Sequence, residues 1–283
     1  MKRADAARLA LLGAIWGASF LFTRITAPVL GPVATADLRM LIGGVALAAW
    51  FATIRFDAQW RRWWLQYVVV GLLTSALPFL LFAYAAVTMP ASLLSVVNAT
   101  SPMWGAVMAA ILLGERLTGR RVAGFALGVA GVALVTRPEP GQTLAALPLA
   151  AALAAPVCYG IAGPYLKRWA AAAPARGMAL GTQLTGGFLL LPLNAIWPPT
   201  TTAPSALIVA SVLVLGLICG AVAYLLYFRL INDIGPTGAL TVTYLVPIFG
   251  VTWGVIFLGE ALTRGMLVGG ALVIAGTVLV LRN

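Results

Sequence analysis

Gly114-Glu115-Arg116-Leu117-Thr118 returns 145 residues later as Gly259-Glu260-Ala261-Leu262-Thr263. At the same offset and without a gap, Gly124, Ala126, Leu127, Ala130, Gly131, Leu134 and Val135 meet Gly269, Ala271, Leu272, Ala275, Gly276, Leu279 and Val280. Upstream, Gly71 meets Gly216, Pro102 meets Pro247, and Gly105 meets Gly250. An internal repeat sets the architecture before any single element does. If each copy contributes five membrane crossings, an odd number, the second copy enters the bilayer upside down. Two inverted copies enclosing a site at the bilayer midplane are a common construction of alternating-access transporters. The expected division is 1–140 and 141–283, five helices in each.

Composition supplies the membrane. Hydrophobic residues make up 62% of the chain and charged residues 9%, the balance of an integral membrane protein and not of a soluble domain. A transmembrane barrel would alternate in short segments of about ten residues. This chain instead carries unbroken apolar runs such as 206–230, so the crossings are helices. The formal charge of +11 would fit a nucleic-acid partner, but the basic residues sit at helix ends and form no stripe interleaved with aromatics. No nucleic-acid partner is expected. There is no histidine, and Cys158 and Cys219 fall inside apolar spans without metal-ligand spacing. Neither a metal nor another cofactor is expected. Met1-Lys2-Arg3 resembles the start of a signal peptide, yet the apolar run through Ala27 is long enough to span, and a retained first helix is expected.

Ten spans follow, at about 8–27, 33–54, 65–88, 91–113, 119–137, 145–168, 176–197, 206–231, 236–258 and 264–282. Pro28 to Pro32, Pro90, Pro138 to Gly141, Pro198 to Pro204 and Gly235-Pro236 mark breaks. With the N-terminus cytoplasmic, fourteen basic residues lie inside: Lys2, Arg3, Arg8, Arg55, Arg61, Arg62, Arg116, Arg120, Arg121, Lys167, Arg168, Arg176, Arg229 and Arg282. Only Arg24, Arg137 and Arg264 lie outside, with Arg39 just within helix 2. That imbalance puts both termini in the cytoplasm. Helix 1 has a fainter partner in helix 6, where Trp16-Gly17 matches Tyr159-Gly160 and Arg24 matches Lys167.

Helices 4 and 9 are equivalent in the repeat, and each has a proline near its centre. Proline cannot bond the carbonyl four residues back, so Pro102 frees that of Asn98, and Pro247 that of Thr243. A bare carbonyl at membrane depth belongs in protein or along a water-filled cavity. Asn98, Thr100, Ser101 and Trp104 on one helix, and Thr241, Thr243, Tyr244 and Trp253 on the other, fit a polar and aromatic substrate site; kinked packing helices are the plainer alternative. Helices 3 and 8 add Phe79, Tyr84, Tyr224 and Tyr227, with Pro78 as a further break. Helices 1 and 6 add Trp16, Ser19, Phe20 and Tyr159, with Pro156 opening helix 6. Gln183 comes from helix 7. Arg39 follows Asp37 by two residues, and a helix-end ion pair is the reading preferred to a substrate contact. Gly13/Gly17, Gly124/Gly128, Gly216/Gly220, Gly250/Gly254 and Gly265/Gly269 permit close helix approach, within a monomer or in a homodimer through helices 5 and 10.

No Asp or Glu stands at the middle of any span. Asp37, Glu115, Asp233 and Glu260 fall near helix ends, and Asp5, Asp57 and Glu139 in loops. A simple carboxylate-driven antiporter is therefore disfavoured. Glu115, beside Arg116, and Glu260, before Arg264, read as charges that pin the ends of helices 4 and 9. No Ser–His pair, metal constellation or phosphate loop supports an enzyme.

Trp16-Gly17-Ala18-Ser19-Phe20, Arg39 opening helix 2, the mid-helix prolines and the paired Gly-Glu ends resemble the drug/metabolite transporter superfamily, in its ten-helix branch built from two EamA domains. The stretch from Gly114 to Thr118 followed by Gly124-Phe125-Ala126-Leu127-Gly128-Val129-Ala130-Gly131-Val132 looks like that family's characteristic segment. Within it the chain is similar to bacterial exporters of aromatic amino acids, of the YddG type. The resemblance implies a basket of helices around a central cavity, with helices 5 and 10 peripheral. The four-helix multidrug relatives carry a glutamate embedded in helix 1; this chain has none, so their proton coupling does not transfer.

The expected protein is thus an all-α integral membrane protein, ten transmembrane helices as two inverted five-helix repeats around a central cavity. It would export amino acids, neutral or aromatic, or related small metabolites across a bacterial inner membrane. Its partners are a small-molecule substrate and the lipid bilayer. A multidrug or other metabolite carrier, exporting or importing, is the first alternative; a membrane scaffold or intramembrane enzyme is the second.

Overall fold

The computed structural model describes residues 2–137, 145–200 and 203–281. The expected break at Pro138 to Gly141, with Glu139 and the repeat boundary at 140/141, lies outside the described residues, as does Arg282. Ten helical segments follow one another: α1 (Arg3–Leu30), α2 (Pro32–Thr53), α3 (Trp60–Ala86), α4 (Ala91–Leu113), α5 (Gly119–Val135), α6 (Ala146–Trp169), α7 (Ala175–Ile196), α8 (Ala206–Gly235), α9 (Gly238–Leu258) and α10 (Arg264–Leu281). No strand occurs among the described residues. Nine of the ten are long and apolar enough to cross a membrane. The exception is α5, at 17 residues.

The helices are interrupted where the sequence punctuates them. α4 runs as Ala91–Asn98 and resumes as Ser101–Leu113. Pro102 has no N–H for the Asn98 carbonyl, and the Ser101 hydroxyl donates to that oxygen instead, at 2.6 Å. α3 and α8 each contain a wide π-helical stretch, Leu72–Ala76 and Val214–Val222. Displaced by the repeat offset, the first falls inside the second. Wide turns of this kind leave the helix ladder locally open and cluster at functional positions. α4 and α9 end alike: Gly114 at φ 69° and Gly259 at φ 64° take the left-handed conformation that closes a helix and that a residue with a Cβ resists.

Packing repeats as the sequence does. α1 lies along α9, and α6 along α4; α2 lies along α8, and α7 along α3. The most extensive contact joins α5 to α10. A methyl group added to Gly131 would sit 2.5 Å from the Gly269 carbonyl oxygen, and one added to Gly269 would sit 2.5 Å from that of Gly131. Gly124 and Gly276 meet in the same reciprocal way, at 2.7 and 2.4 Å. The two close approaches are thus reciprocal across the α5–α10 seam. The other glycine pairs are also used within the chain. Gly17 lies against the backbone of Gly250, Gly216 against Ile42, and Gly250 against Ser95.

Candidate functional site

A cavity of about 800 Å³ runs into the molecule between the two sets of five helices. A volume of that order suits a small organic solute. From α1 come Trp16, Ser19, Phe20 and Thr23; from α3, Thr74, Phe79 and Phe82; from α4, Asn98, Ser101 and Pro102. α6 contributes Tyr159 and Pro164, α7 contributes Thr182, α8 contributes Cys219, Tyr224 and Tyr227, and α9 contributes Thr243. The rings form two groups on the wall, with Trp16 5.4 Å from Tyr227 and 6.3 Å from Tyr224, and Phe20 edge-on to Phe82 at 5.3 Å. Offset and edge-on rings make a stiff apolar surface. The Asn98 amide has no protein hydrogen-bond partner among the described residues, whereas the hydroxyls of Ser19 and Ser101 donate to backbone carbonyls.

Of the residues expected from sequence to touch substrate, Trp16, Ser19, Phe79, Asn98, Ser101, Tyr159, Tyr224 and Thr243 are brought together on this wall. The others lie elsewhere. Thr100 is buried and donates to the Val97 carbonyl at 2.7 Å. Trp104 packs edge-on against Phe125, and Trp253 lies over Phe249 with its indole N–H on the Ala14 carbonyl, tying α9 to α1. Gln183 is wholly buried, Tyr84 is 37% exposed away from the cavity, and Tyr244 is also outside the lining. Among the expected break points, Pro102 lines the cavity, Pro156 and Pro247 are buried inside their helices, and Pro78 follows the wide turn of α3.

Arg39 departs most from the sequence reading. Residues two apart on a helix do not face one another, and no ion pair joins Arg39 to Asp37. Asp37 instead accepts from the Asn194 amide at 2.6 Å. Arg39 lines the cavity, its guanidinium 3.8 Å from the centre of the Phe79 ring. The i,i+2 spacing was the signal that could have found it.

The two ends of α4 are held differently. Near its C-terminal end the cavity wall runs out to Glu115, Arg121 and the exposed Lys167. Glu115 is held by Lys167 at 2.7 Å and Arg121 at 3.4 Å, not by Arg116. At the other end of α4, outside the cavity lining, Glu260 and Arg24 link helix ends. Glu260 crosses from the end of α9 to the start of α4, where its carboxylate accepts from the Ala91 N–H at 2.6 Å, the Ser92 N–H at 2.9 Å and the Ser92 hydroxyl at 2.5 Å. A carboxylate suits a helix N-terminus because the first N–H groups lack partners there. Arg24 donates to the carbonyls of Ala86 and Val87 at the end of α3, at 2.6 and 2.5 Å. Glu260 therefore links two helices instead of pinning its own beside Arg264.

The hydrogen bond from Lys167 holds the Glu115 carboxyl below its ordinary range; partial burial opposes this, and the charges of Lys167 and Arg121 add to it. A depressed carboxyl contributes fully above its unfolded pKa and loses its contribution only as pH falls through the depressed value. Protonation of Glu115 thus lies well below neutrality. Wild type and Glu115→Gln are expected to give parallel pH–transport profiles between about pH 6 and pH 8. Profiles that diverge in that window would show that Glu115 titrates there.

The EamA-like transporter family matches residues 6–137 and again 146–282. An uncharacterized transporter of Bacillus subtilis is 26% identical over 99% of this chain and 92% of its own length. A probable terminal-alkyne amino-acid exporter of Streptantibioticus cattleyicolor is 28% identical over 97% and 92%. A probable amino-acid metabolite efflux pump of Escherichia coli is 24% identical over 98% and 94%. A protein of known crystal structure shares the fold at a TM-score of 0.67, with 18% identity, over 99% of this chain and 96% of that one. The chain is a membrane protein and belongs to the EamA-like transporter family.

Proposed function

We propose that this chain is a secondary transporter that exports amino acids, neutral or aromatic foremost, or closely related small metabolites, by alternating access. The observation that carries the proposal is the cavity itself, lined from both sets of helices and running out to Glu115, Arg121 and Lys167; the helix-end links made by Glu260 and Arg24 support closure on the opposite side. The repeat units are 1–140 and 141–283, inverted relative to each other, and α5 is the tenth crossing. The reciprocal glycine contacts of α5 with α10 and the paired packing of the remaining helices support this arrangement. About 26 Å of helix, at 1.5 Å per residue, brings α5 near the thickness of the hydrocarbon core. The distribution of basic residues supports a cytoplasmic location for both termini and for the Glu115 end of the cavity, and the bacterial relatives support an inner membrane.

Alternation then exchanges the roles of equivalent groups. Glu260 and Arg24 close the outer end in this state, while Glu115 and Lys167 are stored as an ion pair beside the open mouth. In the opposite state Glu115 leaves Lys167 to cap the start of α9, and Lys167 moves to the carbonyls at the end of α8.

Efflux of radiolabelled phenylalanine, tryptophan, leucine and threonine from loaded proteoliposomes tests the proposal. No movement of any of them by verified folded protein rejects amino-acid export. Asn98→Ala is expected to slow efflux about 10-fold, the scale of one hydrogen bond to a charged substrate group, at unchanged expression. An unchanged rate removes Asn98 from the site.

A further inference from the structure

We infer that Arg39 is the anchor for a carboxylate, and that the cavity selects organic monoanions and zwitterions that bear one on an apolar or aromatic body. Arg39 is 9% exposed, so more than nine-tenths of it is withdrawn from solvent, and it faces the cavity. Its guanidinium carbon lies 3.8 Å over the centre of the Phe79 ring. Among the described residues no hydrogen-bond acceptor and no carboxylate meets it, and its sequence neighbour Asp37 is engaged by Asn194. A charge withdrawn from water without a counter-charge is costly, and such groups inside membranes are retained at functional positions. Stacking on a ring offsets part of that cost. A ring accepts no conventional hydrogen bond, so the N–H donors of the guanidinium remain free of protein acceptors among the described residues, in a fork that matches a carboxylate.

The rest of the cavity narrows the class. Its other charged residues, Glu115, Arg121 and Lys167, are gathered at the mouth, where the one carboxylate is shared by both cations. Away from the mouth, Arg39 is the one charged side chain among the described lining residues. A single carboxylate balances it, a phosphate monoester leaves negative charge unmatched, and an organic cation is repelled. The substrate's body meets the ring wall of Trp16, Tyr224 and Tyr227, and the Asn98 amide oxygen can accept from an ammonium group where the substrate has one.

The assignment rests on the transport reading for the purpose of the site, but its test does not. Purified protein in detergent is titrated calorimetrically with 3-phenylpropionate and with its neutral amide, 3-phenylpropanamide. The acid is expected to bind at least about 10-fold more tightly than the amide, the scale of a charge-assisted fork. Arg39→Gln should remove that preference, and Arg39→Lys should keep part of it. Equal binding of acid and amide by wild type, no binding of the acid, or an undiminished preference in Arg39→Gln overturns the assignment. If Arg39→Gln does not fold, as judged by gel filtration, the acid-to-amide ratio in wild type decides alone. Failed amino-acid efflux with a preserved preference would reject the export reading and leave the carboxylate site standing. Efflux with no preference would do the reverse.

Discussion

Glu260→Gln is expected to open the side of the cavity that Glu260 and Arg24 close in the proposed cycle. In a background with Cys158→Ser and Cys219→Ala, a cysteine introduced by Ser101→Cys lies on the cavity wall and should react with a membrane-impermeant thiol reagent from the Glu115 end alone. Adding Glu260→Gln should make it reactive from both ends. One carboxylate oxygen becomes an NH2 group that faces the Ala91 or Ser92 N–H, donor against donor, and the negative charge at the start of α4 is lost. Hydrogen bonds to a charged group contribute about 1.5–3 kcal/mol each, so losing one shifts a two-state population by about 10- to 100-fold. Efflux should fall with it, because a carrier open on both sides leaks and one that cannot reseal does not cycle. Labelling that stays one-sided would show that the Glu260 contacts do not govern closure.

The second large effect is expected at the α5–α10 seam. Gly131→Leu puts a branched side chain where a single methyl already falls 2.5 Å from the Gly269 carbonyl and 2.9 Å from Val273. The neighbours are backbone and a β-branched residue, which cannot swing aside, so the helices must separate. Overpacking of this kind costs about 1–3 kcal/mol or more, and the thermal unfolding midpoint in detergent should drop by several degrees. Gly163→Ala serves as the control, since a methyl there meets nothing within 4 Å; it should leave the midpoint unchanged or raise it slightly, because alanine has the higher helix propensity. Equal midpoints for Gly131→Leu and wild type would mean that the seam is not close-packed.

Sequence carried the architecture further than the site. The doubled Gly-Glu segment located two equivalent helix ends, and both glycines take the same left-handed turn. Which side of each helix faces the cavity was not legible, because lipid and protein interior are both apolar and the helices lack the contrast that orients a soluble one. Trp104 and Trp253 sit on the same helices as Asn98 and Thr243, yet they pack against neighbours. The partner of Glu260 was invisible for another reason: it lies 168 residues away, at Ser92, and no local pattern reports it. The glycine pairs that allowed a dimer surface are taken up inside the chain on α5 and α10. Arg39 was hidden by its place two residues after Asp37, which suggests an ion pair that helix geometry does not form.

The three donors gathered on Glu260 have no full counterpart at the opposite end. Where Ala91 stands in the first copy, the second has Pro236, and an imino acid brings no N–H. In the alternation proposed above, Glu115 would meet one donor fewer at the start of α9. The two siblings would then divide their dwell time unevenly, with the idle protein waiting toward the cytosol and its excursions to the far side brief. On that reading, this one ring sets the compartment in which cargo is normally collected.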